Sequence, residues 1–535
     1  MSATDRPVLR LRWAQRLNAL HRTVGMAMCL LLVTWCASGA VMVFIGYPRL
    51  SEAERLAQQP ALPSLGAADV RTCFRAGLDA PEGLRILVIG GRATCVGRRG
   101  DTRLALPLDG SPAPTLDAGA LHVLARAHGH ETRTLGRLTR ADQWTLSSAL
   151  RDAFPLHHYA LDDARGTELY LSERTGEVVQ RTTRWERGWA WLGAIPHWIY
   201  PTVLRREREL WRGLVIALAL VGLLVTTTGL MTALRSVHRA RRSGRGFSPY
   251  RKPTFRVHHV LGLFAGPLLC TWLLSGALSL NPLGVSPGSG VPTALAQQLA
   301  GGPAAGEDFS LPPEQARTAC AQTLAVRQLH TLRFDGVPYY RCVASPRESL
   351  LVRADGAQGA ATARPSFEPD ELLRALARAH PGHLPAELVV LHEPDDYHYP
   401  THDAPDVALP VMRVTFADGE QHALYWDPAR AQPLAFHGRR SRLMRWLYHG
   451  LHSFDFRGLY RHPKAWYLVI LGLLGLGLLM ALSGLQLSAR RVRRRVARTV
   501  APRPGTIAPA PPPPAGQDAD SAGPPSDAPP PPRLA

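Results

Sequence analysis

The stretch HRTVGMAMCLLLVTWCASGA, at residues 21–40, returns in altered form as HHVLGLFAGPLLCTWLLSGA at residues 258–277. Both copies begin with a histidine, place a glycine four residues later, contain Thr-Trp and end in Ser-Gly-Ala. Each copy is apolar over about the 20 residues that a helix needs to cross the hydrocarbon layer of a membrane. Two equivalent membrane helices, each with a histidine at one end, suggest a pair held face to face, which is typical of a cofactor site.

Apolar runs of this kind occur four times in the 535-residue chain and carry almost no charge, as membrane helices do. The first run is too long for the apolar part of a signal peptide, is not followed by a small-residue cleavage site and recurs as the third run. We therefore interpret it as an anchor. We predict an α-helical membrane protein with four transmembrane helices, at residues 23–46, 211–234, 258–280 and 466–488.

The net charge of +20 is concentrated beside these helices. Residues 1–22, 235–257 and 488–500 hold nineteen Arg and Lys against the single Asp5, which accounts for eighteen of the twenty net charges. If the four helices alternate in direction, all three clusters fall on one side, and positive charge collects on the cytoplasmic side. We predict a membrane protein with both termini and the central loop cytoplasmic, lipid as a partner and no role in binding nucleic acid.

The two long segments, residues 47–210 and 281–465, then lie on the outer side of the membrane. Each segment contains one pair of cysteines that are 22 residues apart, namely Cys73 with Cys95 and Cys320 with Cys342. Matched pairs in an oxidising compartment predict one disulfide in each segment.

Periodicity predicts that each outer segment is a small α+β module. Residues 121–128 and 369–379 have the apolar spacing of helices, whereas ELYLS at 168–172, VMRVTF at 411–416 and HALYW at 422–426 alternate as strands do. The chain from residue 489 to 535 is basic and then rich in proline without apolar periodicity, which predicts a disordered cytoplasmic tail.

A second set of matches appears at a shift of 255 residues and lies beyond the first helix. It pairs the following positions: Leu169-Tyr170 with Leu424-Tyr425, Trp191-Leu192 with Trp446-Leu447, His197 with His452, Trp211 with Trp466, and Gly229-Leu230 with Gly484-Leu485. The chain is therefore interpreted as two parallel repeats of one unit, each with two membrane helices. Repeats of this kind are related by a pseudo-two-fold axis along the membrane normal, so equivalent residues can meet across it.

Several of these motifs resemble those of the PepSY-associated transmembrane family. The resemblance covers residues 10–490 and rests on Leu20-His21, which enters a helix ending in Ser-Gly-Ala, the Leu451-His452 step, the strand and turn YLSERTGEVV at 170–179, and the closing Thr228-Gly229-Leu230 and Ser483-Gly484-Leu485. The family includes iron-regulated inner-membrane proteins and ferrisiderophore reductases. The resemblance implies a bacterial inner-membrane protein with four helices, periplasmic PepSY-like modules and, in the reductase branch, b-type haem held by membrane histidines.

Four histidines are the candidate ligands of haem iron. His21 and His258 begin the first and third helices, whereas His197 and His452 lie 14 residues before Trp211 and Trp466, on the periplasmic side. Neutral imidazole is a strong axial ligand for haem iron, so these residues predict two bis-histidine haem b sites, one near each face of the membrane. The alternative is that each histidine is only a polar tip in the headgroup layer.

Other histidines rank lower as ligands. His259 adjoins His258 but points to another side of the helix, His449 lies three residues before His452 on the same face, and His238 could join the cytoplasmic set. His157, His158 and His398 are expected in solvated loops.

The sequence lacks the motifs of nucleotide and hydrolase sites. It contains no GxGxxG that opens a βαβ unit, no P-loop, no GxSxG and no HExxH. Our hypothesis is therefore an electron-transfer protein, and a possible haem-dependent ferric reductase, that takes electrons from quinol or a separate cytoplasmic reductase and reduces a ferric siderophore or another ferric complex in the periplasm for iron acquisition. The alternative is a haem-free anchored PepSY module that binds or regulates a periplasmic peptidase, sensor or transporter.

Overall fold

The computed structural model describes residues 5–500 except 80–82, 114, 283, 285–287, 358, 380–384 and 402–405. The predicted proline-rich tail beyond residue 500 lies outside the described residues. The helices are α1 Asp5–Met42, α2 Glu52–Ala57, α3 Arg71–Arg75, α4 Ala118–Arg126, α5 Arg184–Leu192, α6 Ala194–Trp198, α7 Thr202–Arg206, α8 Arg208–Arg242, α9 Pro253–Ser279, α10 Thr293–Ala300, α11 Pro313–Ala321, α12 Pro369–Ala379, α13 Arg439–Arg445, α14 Leu451–Ser453, α15 Arg457–Tyr460 and α16 Pro463–Val500.

The strands are β1 Arg85–Ile89, β2 Arg92–Arg99, β3 Thr102–Pro107, β4 Thr132–Leu138, β5 Leu156–Leu161, β6 Glu168–Ser172, β7 Val178–Thr182, β8 Gln328–Phe334, β9 Val337–Ser345, β10 Glu348–Arg353, β11 Ala363–Arg364, β12 Pro385–Leu391, β13 Val411–Phe416, β14 Ala423–Asp427 and β15 Gln432–His437. Single 3₁₀ turns occur at Ser148–Ala153 and Gly306–Asp308, and a π-helical turn at Trp446–Gly450 precedes α14.

The four predicted membrane helices are confirmed as α1, α8, α9 and α16. Among the described residues, these four are long and apolar enough to cross a membrane, with candidate spans at Arg12–Met42, Arg208–Arg242, Pro253–Ser279 and Pro463–Ala497. The helices extend past the predicted apolar cores because the helical backbone continues into the basic flanks. Helix α8, for example, ends with Arg239, Arg241 and Arg242 in its last turn, where cations interact favourably with the helix dipole.

The two segments that follow α1 and α9 share one sheet. This seven-stranded sheet has the order β11-β10-β9-β8-β1-β2-β3, and β1 of the first segment pairs antiparallel with β8 of the second through Arg85–His330 and Ile86–Leu329. Each segment also forms a four-stranded sheet of its own, in the orders β4-β5-β6-β7 and β12-β13-β14-β15. The sequence predicted one α+β module per segment, and the structure adds a sheet to which both contribute. Both segments therefore lie at the same end of the membrane helices.

The core of the shared sheet contains both predicted disulfides. Cys73–Cys95 and Cys320–Cys342 are each formed, and all four cysteines belong to one buried cluster with residues such as Phe309 and Tyr340. The predicted strands correspond to β6, β13 and β14, and the predicted helices to α4 and α12.

One expectation about the outer histidines was wrong. His157 and His158 lie on strand β5 rather than in a loop. Their Nε2 atoms are 3.1 Å from Glu173 and 2.9 Å from Glu168, so they form part of a sheet with charged partners.

Candidate functional site

The four principal histidines lie in two pairs. The rings of His197 and His452 are 6.2 Å apart between centroids, next to the sheet-bearing segments, and we call them the near pair. The rings of His21 and His258 are 6.3 Å apart, toward the other end of the helix bundle, and we call them the far pair. The interplanar angles are 72° in the near pair and 37° in the far pair.

His197 is held by α1 of its own half of the chain. Its Nδ1 lies 3.2 Å from both the Trp35 carbonyl and the Ser38 hydroxyl, and Trp35 Nε1 donates to the His197 carbonyl at 2.9 Å. A Cβ atom on Gly39 would lie 3.4 Å from the edge of this imidazole. Trp35, Ser38 and Gly39 therefore form a clamp that fixes both the backbone and the ring of His197.

His452 is held in the same way by α9. Its Nδ1 is 3.0 Å from the Ser275 hydroxyl, and Trp272 Nε1 donates to the His452 carbonyl at 3.0 Å. The position of a Cβ on Gly276 is 3.6 Å from the ring. The tryptophan, serine and glycine of the second clamp thus match those of the first.

The backbone after each near-pair histidine turns sharply. Ile199 and Phe454, each two residues after a histidine, end α6 and α14 with positive φ values of 50° and 56°. This left-handed conformation is costly for a β-branched residue such as Ile199, and strain of this kind concentrates at functional sites. Trp198 and Ser453 come directly before these two residues. Their carbonyls accept hydrogen bonds at 2.9 Å from the indoles of Trp211 and Trp466.

The far-pair histidines are held by the second membrane helix of their own half. His21 Nδ1 donates to the Val225 carbonyl at 3.0 Å, and a Cβ on Gly229 would lie only 2.6 Å from the His21 ring. His258 Nδ1 is 2.8 Å from the Ser483 hydroxyl, and a Cβ on Gly484 would lie 3.4 Å from its ring. In each half a glycine on the facing helix leaves space for the imidazole.

Hydrogen bonding assigns one tautomer to all four rings. A carbonyl only accepts, so the Nδ1 atoms of His21 and His197 carry the proton. Ser275 and Ser483 donate their hydroxyl protons to the carbonyls of Trp272 and Met480, so they accept from His452 and His258. Within the described part of the chain none of the four Nε2 atoms has a hydrogen-bond partner. Each Nε2 therefore presents a free lone pair, as a metal-binding imidazole does.

Burial keeps the near pair neutral. Loss of solvation lowers the pKa of His197 to about 4 and the pKa of His452 to about 3. Both imidazoles are therefore uncharged at neutral pH.

The two pairs lie at different depths of the bundle. His21 belongs to the far pair, and Gly39 contacts His197 of the near pair. The two residues are 18 positions apart on α1. At a rise of 1.5 Å per residue this corresponds to about 27 Å, close to the roughly 30 Å thickness of a hydrocarbon layer.

The lower-ranked histidines have other surroundings. Both ring nitrogens of His259 are engaged, Nδ1 with the Ser248 hydroxyl and Nε2 with the Ala233 carbonyl, each at 3.1 Å. His449 faces Asp455 at 3.7 Å, and His238 is exposed near the end of α8. His398 Nε2 donates to the Ala408 carbonyl.

Among the described residues, no group of three or more His, Cys, Asp or Glu side chains converges as ligands of a metal ion. The arrangement thus offers two nitrogens per site, which suits a metal whose remaining ligands come from a cofactor.

Ser38, Ser275, Ser483 and Val225, together with the glycines that follow the serines, were not predicted as site residues. The recurrence of Ser-Gly-Ala and of Thr/Ser-Gly-Leu marked most of these positions, but it did not say which side chain they would face. The Val225 carbonyl has no signal in the sequence, since a backbone acceptor is available at every residue.

Comparison with known proteins agrees with this architecture. The family model of the PepSY-associated TM region matches residues 18–384 and again 255–508. No curated protein matches the chain. The two matched regions together span most of the sequence and include all four histidines of the near and far pairs, so the chain belongs to the PepSY-associated transmembrane family.

Proposed function

We propose that the protein binds two haem b groups, one at the near pair and one at the far pair, and carries electrons across the membrane to a ferric complex. The observation that carries this proposal is the occurrence of two histidine pairs with ring centroids 6.2 and 6.3 Å apart. In both pairs Nδ1 is held and Nε2 is free.

Each pair would supply two imidazole nitrogens to one haem iron, and imidazole is a common protein ligand of this iron. Haem supplies the other four nitrogens and a reversible one-electron couple, so two histidines are a sufficient protein contribution.

The polar groups behind the histidines are those that a haem ligand needs. Ser38, Ser275 and Ser483 accept Nδ1–H and so fix each ring in the tautomer that leaves Nε2 unprotonated. Such partners orient a ligand and increase its basicity. Glycines at the ring edges allow the helices to approach without displacing the imidazoles.

The direction of transfer follows from the charge distribution. Basic clusters flank the ends of the membrane helices away from the sheets, which favours a cytoplasmic location for those ends and for both termini, and a periplasmic location for the sheets. Electrons would enter at the far pair from quinol or a cytoplasmic reductase and leave at the near pair. A ferric siderophore or similar chelate is a suitable acceptor, because Fe(II) binds hard oxygen ligands less tightly and is released.

A pyridine haemochrome assay of the purified full-length chain, expressed with ample haem, tests the proposal. We expect two haems per chain in the wild type, and one in each of His452→Ala, His197→Ala, His258→Ala and His21→Ala. His238→Ala is the matched control, because this histidine is exposed and belongs to neither pair, and it should retain both haems.

A wild-type chain that contains no haem would refute the proposal and favour the haem-free anchored PepSY module. In that case the four histidine variants should still support whatever partner binding the sheet-bearing segments perform.

A further inference from the structure

Helix α5 of the first half presents an uncovered aromatic face. Trp185, Trp189 and Leu192 are spaced four and three residues apart, so they lie along one side of the helix. Trp185 is 65% exposed and Leu192 is 60% exposed, although large apolar side chains are normally covered.

This face forms one wall of an open cavity. The cavity has a volume of about 760 Å³, and its other side is formed by Ala164, Arg165 and Arg181. Cavities of about 300–1,000 Å³ are typical of sites for small molecules. The lining therefore combines the aromatic face with the guanidinium groups of Arg165, Arg181 and Arg184, the last of which belongs to α5 itself.

The cavity is lined by three arginines and by one carboxylate, that of Glu186. Arg181 is paired with Glu54, and Glu186 is engaged by the backbone and hydroxyl of Thr183. Arg165 and Arg184 form no ion pair with any residue that the structure describes, and both are exposed. Two guanidinium groups thus remain available to an anion.

The cavity lies at the edge of the membrane-spanning region. Gly193, directly after α5, packs against the last turn of α1, since a Cβ on it would lie 2.9 Å from Val41 and 3.4 Å from Met42. Residue Met42 is also the end of the first candidate span. Tryptophan and arginine are the residues that soluble segments place at this boundary, with the indole in the interface and the cation at the headgroups.

The second half differs at the equivalent positions. At the shift of 255 residues, Trp185 and Trp189 correspond to Arg440 and Met444, and the exposed Trp191 corresponds to Trp446. Trp446 is covered by Phe456 and by the guanidinium of Arg445. The one equivalent indole of the second half is therefore covered by the protein itself, whereas the exposed indoles of α5 are left for another molecule.

We propose that this cavity binds an anionic phospholipid of the leaflet on the side of the sheets. Arg165 and Arg184 bind the phosphate of its headgroup, and its acyl chains lie against Trp185, Trp189 and Leu192. The proposal is independent of haem binding, and it gives the first half a lipid-specific contact that the second half does not have.

Native mass spectrometry of the delipidated full-length chain, titrated with phosphatidylglycerol or phosphatidylcholine, measures this contact. We expect the wild type to prefer phosphatidylglycerol, and Arg165→Gln with Arg184→Gln to weaken its binding by about fivefold for each arginine. The matched control is Arg439→Gln with Arg440→Gln on α13, which removes two exposed cations of the second half and should leave the affinity unchanged. Equal binding of both lipids, or equal loss in both double variants, would overturn the proposal.

Fluorescence quenching by phosphatidylglycerol with brominated acyl chains gives a second readout that does not depend on the arginine variants. Trp185→Phe with Trp189→Phe should remove a quenched component that the wild type shows. If inorganic phosphate at millimolar concentration displaces the lipid completely, the site is one for free phosphate and the lipid assignment is wrong. If the quenching is unchanged in the double tryptophan variant, the acyl chains do not lie on α5.

Discussion

The first half of the chain (residues 12–242) and the second half (residues 253–487) are alike where they hold histidines and unlike around those sites. Both halves use a tryptophan, a serine and a glycine to clamp the near-pair histidine. Outside the clamp, His452 follows the π-helical turn, and the Tyr448 ring stacks on it with centroids 5.3 Å apart. His197 instead follows α5, which carries exposed indoles. The shared contacts are those that position a ring nitrogen, and the differing ones are those that cover the surface.

This contrast separates two kinds of constraint. The clamp must place an imidazole within fractions of an ångström, so the same hydrogen bonds occur in both halves. The side chains that cover the surface around the clamps need only exclude water or contact lipid, and many residue types can do this. Variants made in equivalent pairs test whether this division is correct.

Removal of a disulfide should have the largest effect on the free energy of unfolding, and the effect should be equal in both halves. Each closes a loop with a sequence separation of 22 residues, for which loop-closure entropy predicts about 3 kcal/mol of stabilisation. We expect Cys73→Ala with Cys95→Ala, and Cys320→Ala with Cys342→Ala, to lower the free energy of unfolding by similar amounts in denaturant titrations. A difference much larger than 1 kcal/mol would mean that the two halves rely differently on the shared sheet.

Glycine substitutions should distinguish the halves at the far pair. A Cβ on Gly229 would lie 2.6 Å from the His21 ring, whereas a Cβ on Gly484 would be 3.4 Å from His258, which is an ordinary contact. Gly229→Ala should therefore displace His21 from the Val225 carbonyl at a cost of about 1–3 kcal/mol, and Gly484→Ala should be nearly neutral. Thermal unfolding and haem content measure the difference. Equal effects would contradict the tighter contact in the first half.

The sequence predicted the helices, and it grouped the histidines by membrane face, because both depend on patterns that repeat. Apolar runs of about 20 residues have few alternatives to a membrane helix, and matched spacing placed His197 and His452 toward one face and His21 and His258 toward the other. The sequence left open which histidines pair, and the structure shows the pairs. The cysteine pairs were predictable for the same reason, since their identical separation is visible in the sequence.

The sheet shared by the two segments could not be predicted in this way. Strands β1 and β8 are more than 230 residues apart in the chain, and alternation within each strand does not specify which strand will be its neighbour. The role of the Ser-Gly pairs was hidden for a related reason. A serine in a membrane helix bonds its own backbone in many proteins, and only the position of the histidine gives it a second partner.

The serines of the near pair allow the clamp itself to be tested. Ser38 and Ser275 are 1% and 0% exposed, and each accepts Nδ1–H of a histidine. Removal of an outer-shell partner of this kind costs about 10–100-fold in metal-site affinity, so Ser38→Ala and Ser275→Ala should weaken haem retention by this factor without abolishing folding. Ser279→Ala is the control, because Ser279 donates to the Gly276 carbonyl and, among the described residues, forms no hydrogen bond with a histidine. A loss in the control as large as in the two variants would argue against the clamp.

A contact that joins the halves without an equivalent should give the smallest effect. Glu314 of α11 accepts hydrogen bonds from Arg317 and from the Leu65 backbone N–H of the first segment, each at 2.6 Å. The cysteines of the two disulfides align the halves at a shift of 247 residues, and at this shift the residue equivalent to Glu314 is Ala67. The Arg317 hydrogen bond and the Leu65 N–H lower the pKa of Glu314 to about 2. The carboxylate therefore stabilises the fold above its ordinary pKa of 4.5, and this stabilisation is lost as the pH falls toward 2.

Glu314→Gln should accordingly lower the free energy of unfolding by about 1 kcal/mol at neutral pH, since the pair is partly exposed to solvent. The difference from the wild type should shrink between pH 4.5 and 2, in contrast to the disulfide variants, whose effect does not depend on protonation of a carboxylate. Glu371→Gln, which removes a salt bridge to Arg364 inside the second segment, is the matched comparison. If Glu314→Gln reduces the cooperativity of unfolding between the two segments and Glu371→Gln does not, the unmatched contact of Glu314 adds to the link that the pairing of β1 with β8 makes between the halves.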